Sequence, residues 1–148
     1  MKILKVISSV LVAVMLACTF ISCNNSTGNE EGTSGESVSD ISVTVSLKIK
    51  DKDGKIIEEA TDYVYTGPKA TVFNILEDYC TIEKGIEFVA ENGTVKTIGE
   101  YSADSEYYWA FWKGTANDGS VVDNQTMSEF EIADGEGFTV FLRPLAGD

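Results

Sequence analysis

The clearest pattern in the chain is an alternation of apolar and polar residues that begins at position 43. Four apolar side chains occupy every second position of this stretch: Val43, Val45, Leu47 and Ile49. A period of two predicts a β-strand with one buried and one solvated face. The turn-forming sequence Asp-Lys-Asp-Gly-Lys follows at 51–55, and a second strand-like run covers 56–65. The two runs are therefore predicted to form a β-hairpin.

The apolar period changes after Gly67 and Pro68, which end the hairpin. Thr71 stands where a helix cap is expected, and the apolar residues that follow fall on one helical face: Val72, Leu76, Tyr79 and Cys80. We expect this helix to end near Gly85. Short strands are predicted at 86–89 and 94–98, on either side of an Asn-Gly turn.

The segment Tyr-Tyr-Trp-Ala-Phe-Trp at 107–112 carries aromatic side chains on both faces of a predicted strand. Such a pattern is typical of a strand buried on two sides, so we place it at the centre of the sheet. A last strand is predicted at 138–142. The order of a hairpin, one helix and three or four strands indicates an α+β domain over residues 41–148.

The N-terminus has the pattern of a secretion signal over residues 1–22. Lys2 and Lys5 precede an apolar run that is too short to be a spanning helix. Phe-Ile-Ser-Cys at 20–23 resembles a lipobox, which implies cleavage before Cys23 and its modification by palmitate-type acyl chains. Cys18 is a second candidate, but cleavage at Cys23 leaves the whole apolar run in the signal. An ordinary cleaved signal with Cys23 as a spare thiol is the alternative.

Residues 23–40 form the expected tether between the anchor and the domain. Their Asn, Ser, Thr, Gly and Glu side chains bury too little apolar surface to offset the entropy of ordering, so a flexible linker is predicted. The resulting expectation is a lipoprotein on the extracytoplasmic face of the cell membrane. The lipobox does not distinguish a Gram-positive surface from a periplasm.

Charge and composition narrow the partners and the chemistry. Nine basic residues face 24 acidic ones once Lys2 and Lys5 leave with the signal, a net charge of −15, which disfavours nucleic acid as a partner. The chain has no histidine, the commonest general base and metal ligand. Asp51 and Asp53 lack the rest of a calcium loop and are read as turn residues. Cys80 is expected to be a core thiol, and no metal site is predicted.

An enzyme would have to draw its acid and base from carboxylates alone. Candidates are abundant, which weakens the case for any one pair: Glu58, Glu59, Asp62, Glu129, Glu131 and Asp134. A glycosidase would need two of them about 5 to 9.5 Å apart across a cleft. The sequence therefore favours a protein that is not an enzyme and has no catalytic cofactor.

Three segments resemble the DUF4430 family, whose domain is similar to the C-terminal β-domain of transcobalamin and intrinsic factor. They are Thr-Val-Phe-Asn-Ile-Leu at 71–76, the aromatic strand with Lys113 and Gly114, and Ile-Ala-Asp-Gly-Glu-Gly-Phe-Thr-Val-Phe at 132–141. The resemblance implies a β-grasp (ubiquitin-like) fold and a binding domain without catalysis. In the vitamin carriers such a domain closes over one side of a corrinoid, so this chain would offer half of that site. Lys113 replaces the asparagine that the family usually has there.

Two functional hypotheses remain open. The first is a surface-tethered binding module whose ligand, a corrinoid or another flat molecule, lies against exposed aromatic side chains. Tyr108 and Trp112 are the predicted contacts, on the assumption that Trp109 and Phe111 face the helix. The second is a protein- or glycan-interaction module of the bacterial cell surface that uses a sheet edge or loops and has no small-molecule ligand.

Overall fold

The computed structural model describes residues 39–117 and 119–145. The signal at 1–22, Cys18, Cys23 and nearly all of the linker lie outside the described residues, so their assignments stay predictions. The described part has a mixed α+β architecture made mostly of strands, with two sheets and one helix, and the predicted class is confirmed.

No helix among residues 39–117 and 119–145 is both long enough and apolar enough to cross a membrane.

Among the described residues, seven strands and one helical segment follow one another. The strands are β1 (Ile41–Lys50), β2 (Ile56–Gly67), β3 (Phe88–Glu91), β4 (Thr94–Ile98), β5 (Tyr101–Ser102), β6 (Tyr107–Lys113) and β7 (Gly137–Pro144). Helix α1 (Val72–Asp78) follows β2 and continues into a π-helical turn, Tyr79–Glu83. The predicted hairpin is confirmed, because β1 and β2 pair antiparallel along most of their length.

The larger sheet has the strand order β2-β1-β7-β6, and the smaller one has the order β3-β4-β5. β1 and β7 run parallel, whereas β6 is antiparallel to β7. A parallel pair cannot be joined by a tight turn, so the helix and the smaller sheet lie in the connection between them.

The core fills the space between the larger sheet and α1. The alternation in β1 is confirmed, because Leu47 and Ile49 have no exposed surface. The helix contributes Ile75 and Leu76 to this core, and β7 contributes Phe138. All three side chains are fully buried. Each such side chain stabilises the fold by about 1.5 to 3 kcal/mol relative to exposure.

Thr71 begins the helix as predicted. Its backbone is extended, and its Oγ1 accepts a hydrogen bond from the backbone N–H of Asn74 at 3.2 Å. The far end differs from a regular α-helix, because the N–H of Lys84 bonds to the carbonyl of Tyr79, five residues earlier. The Thr81 hydroxyl donates a hydrogen bond to the Glu77 carbonyl at 2.7 Å. In a regular α-helix the Thr81 N–H would use this same carbonyl as its acceptor. The π-turn relieves that competition.

Two further predictions are confirmed. The Asp51 carboxylate accepts the backbone N–H groups of Asp53 and Lys55 at 2.9 and 2.8 Å, so it makes the turn of the hairpin. Cys80 is fully buried, and burial raises the pKa of its thiol to about 12. Such a thiol is inert at neutral pH.

The placement of the aromatic strand at the centre of the sheet is wrong. β1 and β7 are the central strands, and β6 lies at an edge. Trp109 and Phe111 lie in the core on one face of β6, and the segment after β6 folds back and covers Trp112 on the other face. The Val122 N–H donates to the Phe111 carbonyl at 3.0 Å, and Val121 forms a bridge with Trp112. Cover by a loop therefore produces the same sequence pattern as a central position.

Replacing Thr71 by Val tests the helix cap. The isosteric side chain removes the acceptor for the Asn74 N–H and keeps the buried methyl group, so we expect the free energy of unfolding to fall by about 1 kcal/mol. Chemical denaturation measures the loss. The control Thr66→Val, on the exposed side of β2, should change stability by less than about 0.5 kcal/mol. Equal effects at the two positions would contradict the cap.

Candidate functional site

The four aromatic side chains of the predicted site separate onto the two faces of β6. Trp109 and Phe111 belong to the core, with 6% and 3% of their surface exposed. Tyr108 and Trp112 are half-buried on the opposite face. The two predicted contact residues thus share a face, but their surroundings differ.

Trp112 is enclosed by its neighbours. Its ring packs on Phe141 with centroids 4.4 Å apart, and its Nε1 donates to the Ala116 carbonyl at 3.0 Å. Gly119 lies so close that a Cβ there would be 2.0 Å from the indole Cδ1. The loop after β6 therefore covers Trp112, and a flat ligand could stack on this indole only if the loop moved.

Lys50 helps to hold that loop on the sheet. Only 7% of its surface is exposed, and its Nζ donates to Asn117 Oδ1 at 2.5 Å. The ammonium group also lies 5.2 Å from the centroid of the Trp112 ring, within range of a cation–π interaction. Thr139, fully buried, adds a hydrogen bond from Oγ1 to the Gly114 carbonyl at 2.9 Å.

Tyr108 borders a different space, which we call the edge pocket. This cavity of about 220 Å³ lies beside β6, between β6, the start of β4 and the loop that returns over the sheet. Its wall is mainly apolar and is formed by Val95, Tyr108, Trp109, Val122, Gln125 and Met127, among others. Tyr108 and Trp112 therefore do not line one common pocket.

The register of β6 places main-chain groups at the edge pocket. The Gly114 N–H donates to Gly137 and the Leu145 N–H donates to Glu106, so the even-numbered residues bond to β7. In an antiparallel pair the intervening residues point the other way. The N–H and C=O of Trp109 thus face away from β7, on the side of the pocket.

These Trp109 groups are unpaired within the part of the chain that the structure describes. The Phe111 carbonyl accepts the Val122 N–H, but neither main-chain group of Trp109 has a hydrogen-bond partner among these described residues. The buried indole Nε1 of Trp109 has none either. The main-chain groups of Trp109 therefore offer one donor and one acceptor to a ligand in the edge pocket.

Three of the six carboxylates considered for catalysis, Glu129, Glu131 and Asp134, are engaged in local contacts. Glu129 accepts the N–H and the hydroxyl of Thr126, both at 3.0 Å, and these hydrogen bonds lower the pKa of Glu129. Asp134 accepts the Thr44 N–H at 2.7 Å, and Glu131 lies 3.0 Å from the Lys69 ammonium. Over residues 39–117 and 119–145, no three side chains of the metal-binding types are grouped to hold an ion.

The edge pocket was not anticipated from the sequence. Its far wall comes from Val121, Val122 and Met127, in a connection between β6 and β7 that also contains Phe130 and Ile132. These apolar residues were the available signal that the connection packs on the domain. They do not by themselves say which strand the connection folds against.

No protein-family model matches the chain, and no curated protein matches it. Among solved structures, the chain is similar to the crystal structure of a "putative metal binding protein" from Ruminococcus gnavus ATCC 29149. The sequences are 16% identical, the match covers 70% of this chain and 98% of that one, and the TM-score is 0.47. At this distance the function has to be argued from the chain's own residues.

Replacing Lys50 by Met tests whether its ammonium holds the loop. The substitution keeps most of the apolar stem and removes the contacts to Asn117 and Trp112, so we expect the free energy of unfolding to fall by about 1 to 2 kcal/mol. Lys48→Met is the matched control, since Lys48 lies on the same face of β1 and should change stability by less than about 0.5 kcal/mol. Equal stability of the two variants would refute the role of Lys50.

Proposed function

We propose that this protein is a non-catalytic binding module, held on the extracytoplasmic face of the membrane by a lipid on Cys23, whose ligand enters the edge pocket beside Tyr108. The observation that carries the proposal is the combination of an apolar cavity with the unpaired N–H and C=O of Trp109. Ligand pockets are typically apolar with a few placed polar groups. The lack of histidine and the structural contacts of Glu129, Glu131 and Asp134 support a module without catalysis.

We also propose that the domain is of the DUF4430 type with a β-grasp topology. Three features support this assignment: the helix follows the first hairpin, the last strand runs parallel to the first, and these two strands occupy the centre of the sheet. A parallel first and last strand is the arrangement that the β-grasp fold requires. The three sequence segments that resemble the family fall on α1, β6 and the start of β7.

The size of the edge pocket limits what it can hold. A volume of about 220 Å³ is below the roughly 300 to 1,000 Å³ of pockets for drug-sized ligands, and above the roughly 150 Å³ that admits benzene. One small aromatic group, such as benzene or indole, or one short side group fits. A corrinoid would therefore lie across the opening, on Tyr108, with a peripheral group inside. Trp112 would join the contact only if its loop opened.

The alternative is a protein- or glycan-interaction module with no small-molecule ligand. The observation that favours it is the presence of two sheet edges, β2 and β6, in the larger sheet. An edge strand can bind an extended partner through its main chain.

Calorimetric titration of the chain from Asn24 to Asp148 with cobalamin, cobinamide and indole tests the pocket. We expect saturable heat with at least one of the three. Gln125→Trp, at the pocket wall, should weaken that binding about tenfold, the effect of roughly 1.4 kcal/mol. Asn124→Trp is the matched control, because Asn124 is an exposed amide in the same loop but does not line the pocket.

If none of the three probes gives heat up to millimolar concentration, the small-ligand function is refuted and the interaction module remains. If heat appears but Gln125→Trp and Asn124→Trp behave alike, the ligand lies elsewhere than in the edge pocket. Heat with indole alone would exclude the corrinoid.

Metabolic labelling with an alkyne analogue of palmitate tests the anchor. Cys23→Ser should abolish labelling and release the protein from the membrane fraction, because the acyl chains are what hold it there. Cys18→Ser should leave both unchanged. The opposite result would assign the lipid to Cys18. Absence of labelling in the unaltered protein and in both variants would favour an ordinary cleaved signal.

A further inference from the structure

A groove runs between β2 and the helical segment. It lies at the opposite edge of the larger sheet from the edge pocket, which is beside β6. It consists of two hollows of about 370 and 440 Å³ that follow one another along the strand. The first borders residues 60–64 of β2 and the π-helical turn, and the second borders residues 65–68 and α1 with Ile82. We call this surface the β2 groove. It is long enough for several residues of an extended chain.

The β2 groove presents main-chain groups that have no hydrogen-bond partner among residues 39–117 and 119–145, in a regular register. Thr44 and Ser46 direct their main-chain bonds away from β2, toward Asp134, Gly135 and Glu136. The alternate residues of β1 therefore pair with β2, at Tyr63 and Tyr65. This leaves the N–H and C=O of Val64 and Thr66 pointing outward. A partner strand could form four hydrogen bonds there.

Exposed apolar side chains lie on both faces of the position that a strand added to β2 would take. Ile82 and Val64 are 77% and 59% exposed, the highest values among the large hydrophobic residues that the structure describes. Val64 faces away from the buried Tyr65, whereas Ile82 lies on the helical side of the groove. A strand added to β2 would therefore cover Val64 with side chains of one face and Ile82 with side chains of the other.

A bulge limits how far such a pairing can extend. The register between β1 and β2 shifts between Val45 and Leu47, and opposite the shift Asp62 has a φ of 58°. Bulges interrupt regular pairing and are one way in which proteins protect sheet edges. Here the bulge ends the regular edge at Tyr63, and Pro68 ends it on the other side. The accessible stretch is therefore short and fixed.

The charge of the groove identifies the chemistry of its occupant. Four carboxylates line the two hollows: Asp62, Glu77, Asp78 and Glu83. The one lysine in the lining, Lys84, is 3.5 Å from the Glu58 carboxylate and lies over the Tyr79 ring. The lining thus has a formal charge of −3, one positive against four negative groups. A second copy of the chain would bring the same charges, and like charges across an interface are unfavourable.

We propose that the β2 groove binds an extended, basic peptide segment of another protein, which adds as a strand to β2 along Val64 and Thr66. Its apolar side chains cover Val64, and its lysine or arginine side chains, on the other face, lay their stems along Ile82 and reach the carboxylates of the groove. This recognition rests on the binding-module function in general and does not require a ligand in the edge pocket.

The probe is a synthetic peptide of alternating valine and lysine, capped at both ends, titrated into the chain from Asn24 to Asp148 and followed by amide NMR shifts. We expect saturable shifts centred on Val64 and Thr66. The same peptide with N-methyl groups on alternate residues cannot pair with an edge strand, so one of its two methylation patterns should lose binding about tenfold or more. A valine and glutamate peptide should not bind.

Two sets of variants separate main-chain pairing from attraction by charge. Val64→Pro removes an outward N–H at a position where an edge strand tolerates proline, and should weaken binding about tenfold. Glu77→Gln with Glu83→Gln should weaken it about fivefold. The matched control is Glu87→Gln with Glu100→Gln, which removes the same two negative charges outside the groove and should have no more than about a twofold effect.

Several outcomes would overturn the proposal. Absence of binding up to millimolar peptide would do so, as would equal binding of the N-methylated peptides, which would mean attraction by charge alone. If Val64→Pro does not fold, the N-methylated peptides still decide. A dimer in light scattering that the peptide dissociates would assign the groove to a second copy. Gln125→Trp should leave peptide binding unchanged, so failure of the edge pocket and failure of the β2 groove are distinguishable.

Discussion

The parallel pairing of β1 with β7 is the contact on which the rest of the structure depends. It joins the two ends of the domain, from Ser46 opposite Gly137 to Lys50 opposite Phe141. Just before β7, the Asp134 carboxylate accepts the Thr44 N–H, 90 residues away in sequence. The residues that face the helix from this pair are fully buried, among them Leu47, Phe138 and Val140. Closing so long a loop is entropically costly, and the apolar layer between these strands and α1 supplies the compensating burial.

With β1 and β7 at the centre, β2 and β6 necessarily become the edges of the sheet. The two edge strands are shielded from further strand pairing in different ways. At β6 the returning loop takes one carbonyl, through Val122, and leaves the groups of Trp109 beside a small apolar cavity. At β2 a bulge and a row of carboxylates flank a short regular stretch. Both candidate binding surfaces are therefore consequences of one choice of central strands.

The negative charge of the chain remains largely uncompensated on the surface of this fold. Several of its few basic side chains have local partners: Lys50 holds a loop, Lys84 pairs with Glu58, and Lys113 pairs with Glu136. The last contact lowers the pKa of Glu136, since the lysine hydrogen bond stabilises its charged form. Few cations remain to offset the carboxylates elsewhere on the surface. A net negative surface favours solubility and sets the sign of the charge that a partner carries.

The sequence by itself determined the local structure. Alternation in β1, the capping hydroxyl of Thr71, the turn around Asp51 and the buried thiol of Cys80 were all predicted, because each depends on residues close together in the chain or on a single side chain's preference for burial. The α+β class followed from the order of these elements.

Only the tertiary structure decided which strands are central and which aromatic side chains remain accessible. The run from Tyr107 to Trp112 is apolar on both faces in either case, since periodicity reports that a face is covered and not what covers it. A loop that folds back through Val122 encloses Trp112, and the same fold opens the cavity beside Tyr108. These outcomes depend on pairings between residues far apart in the chain, and a local pattern of apolar and polar positions does not encode such pairings.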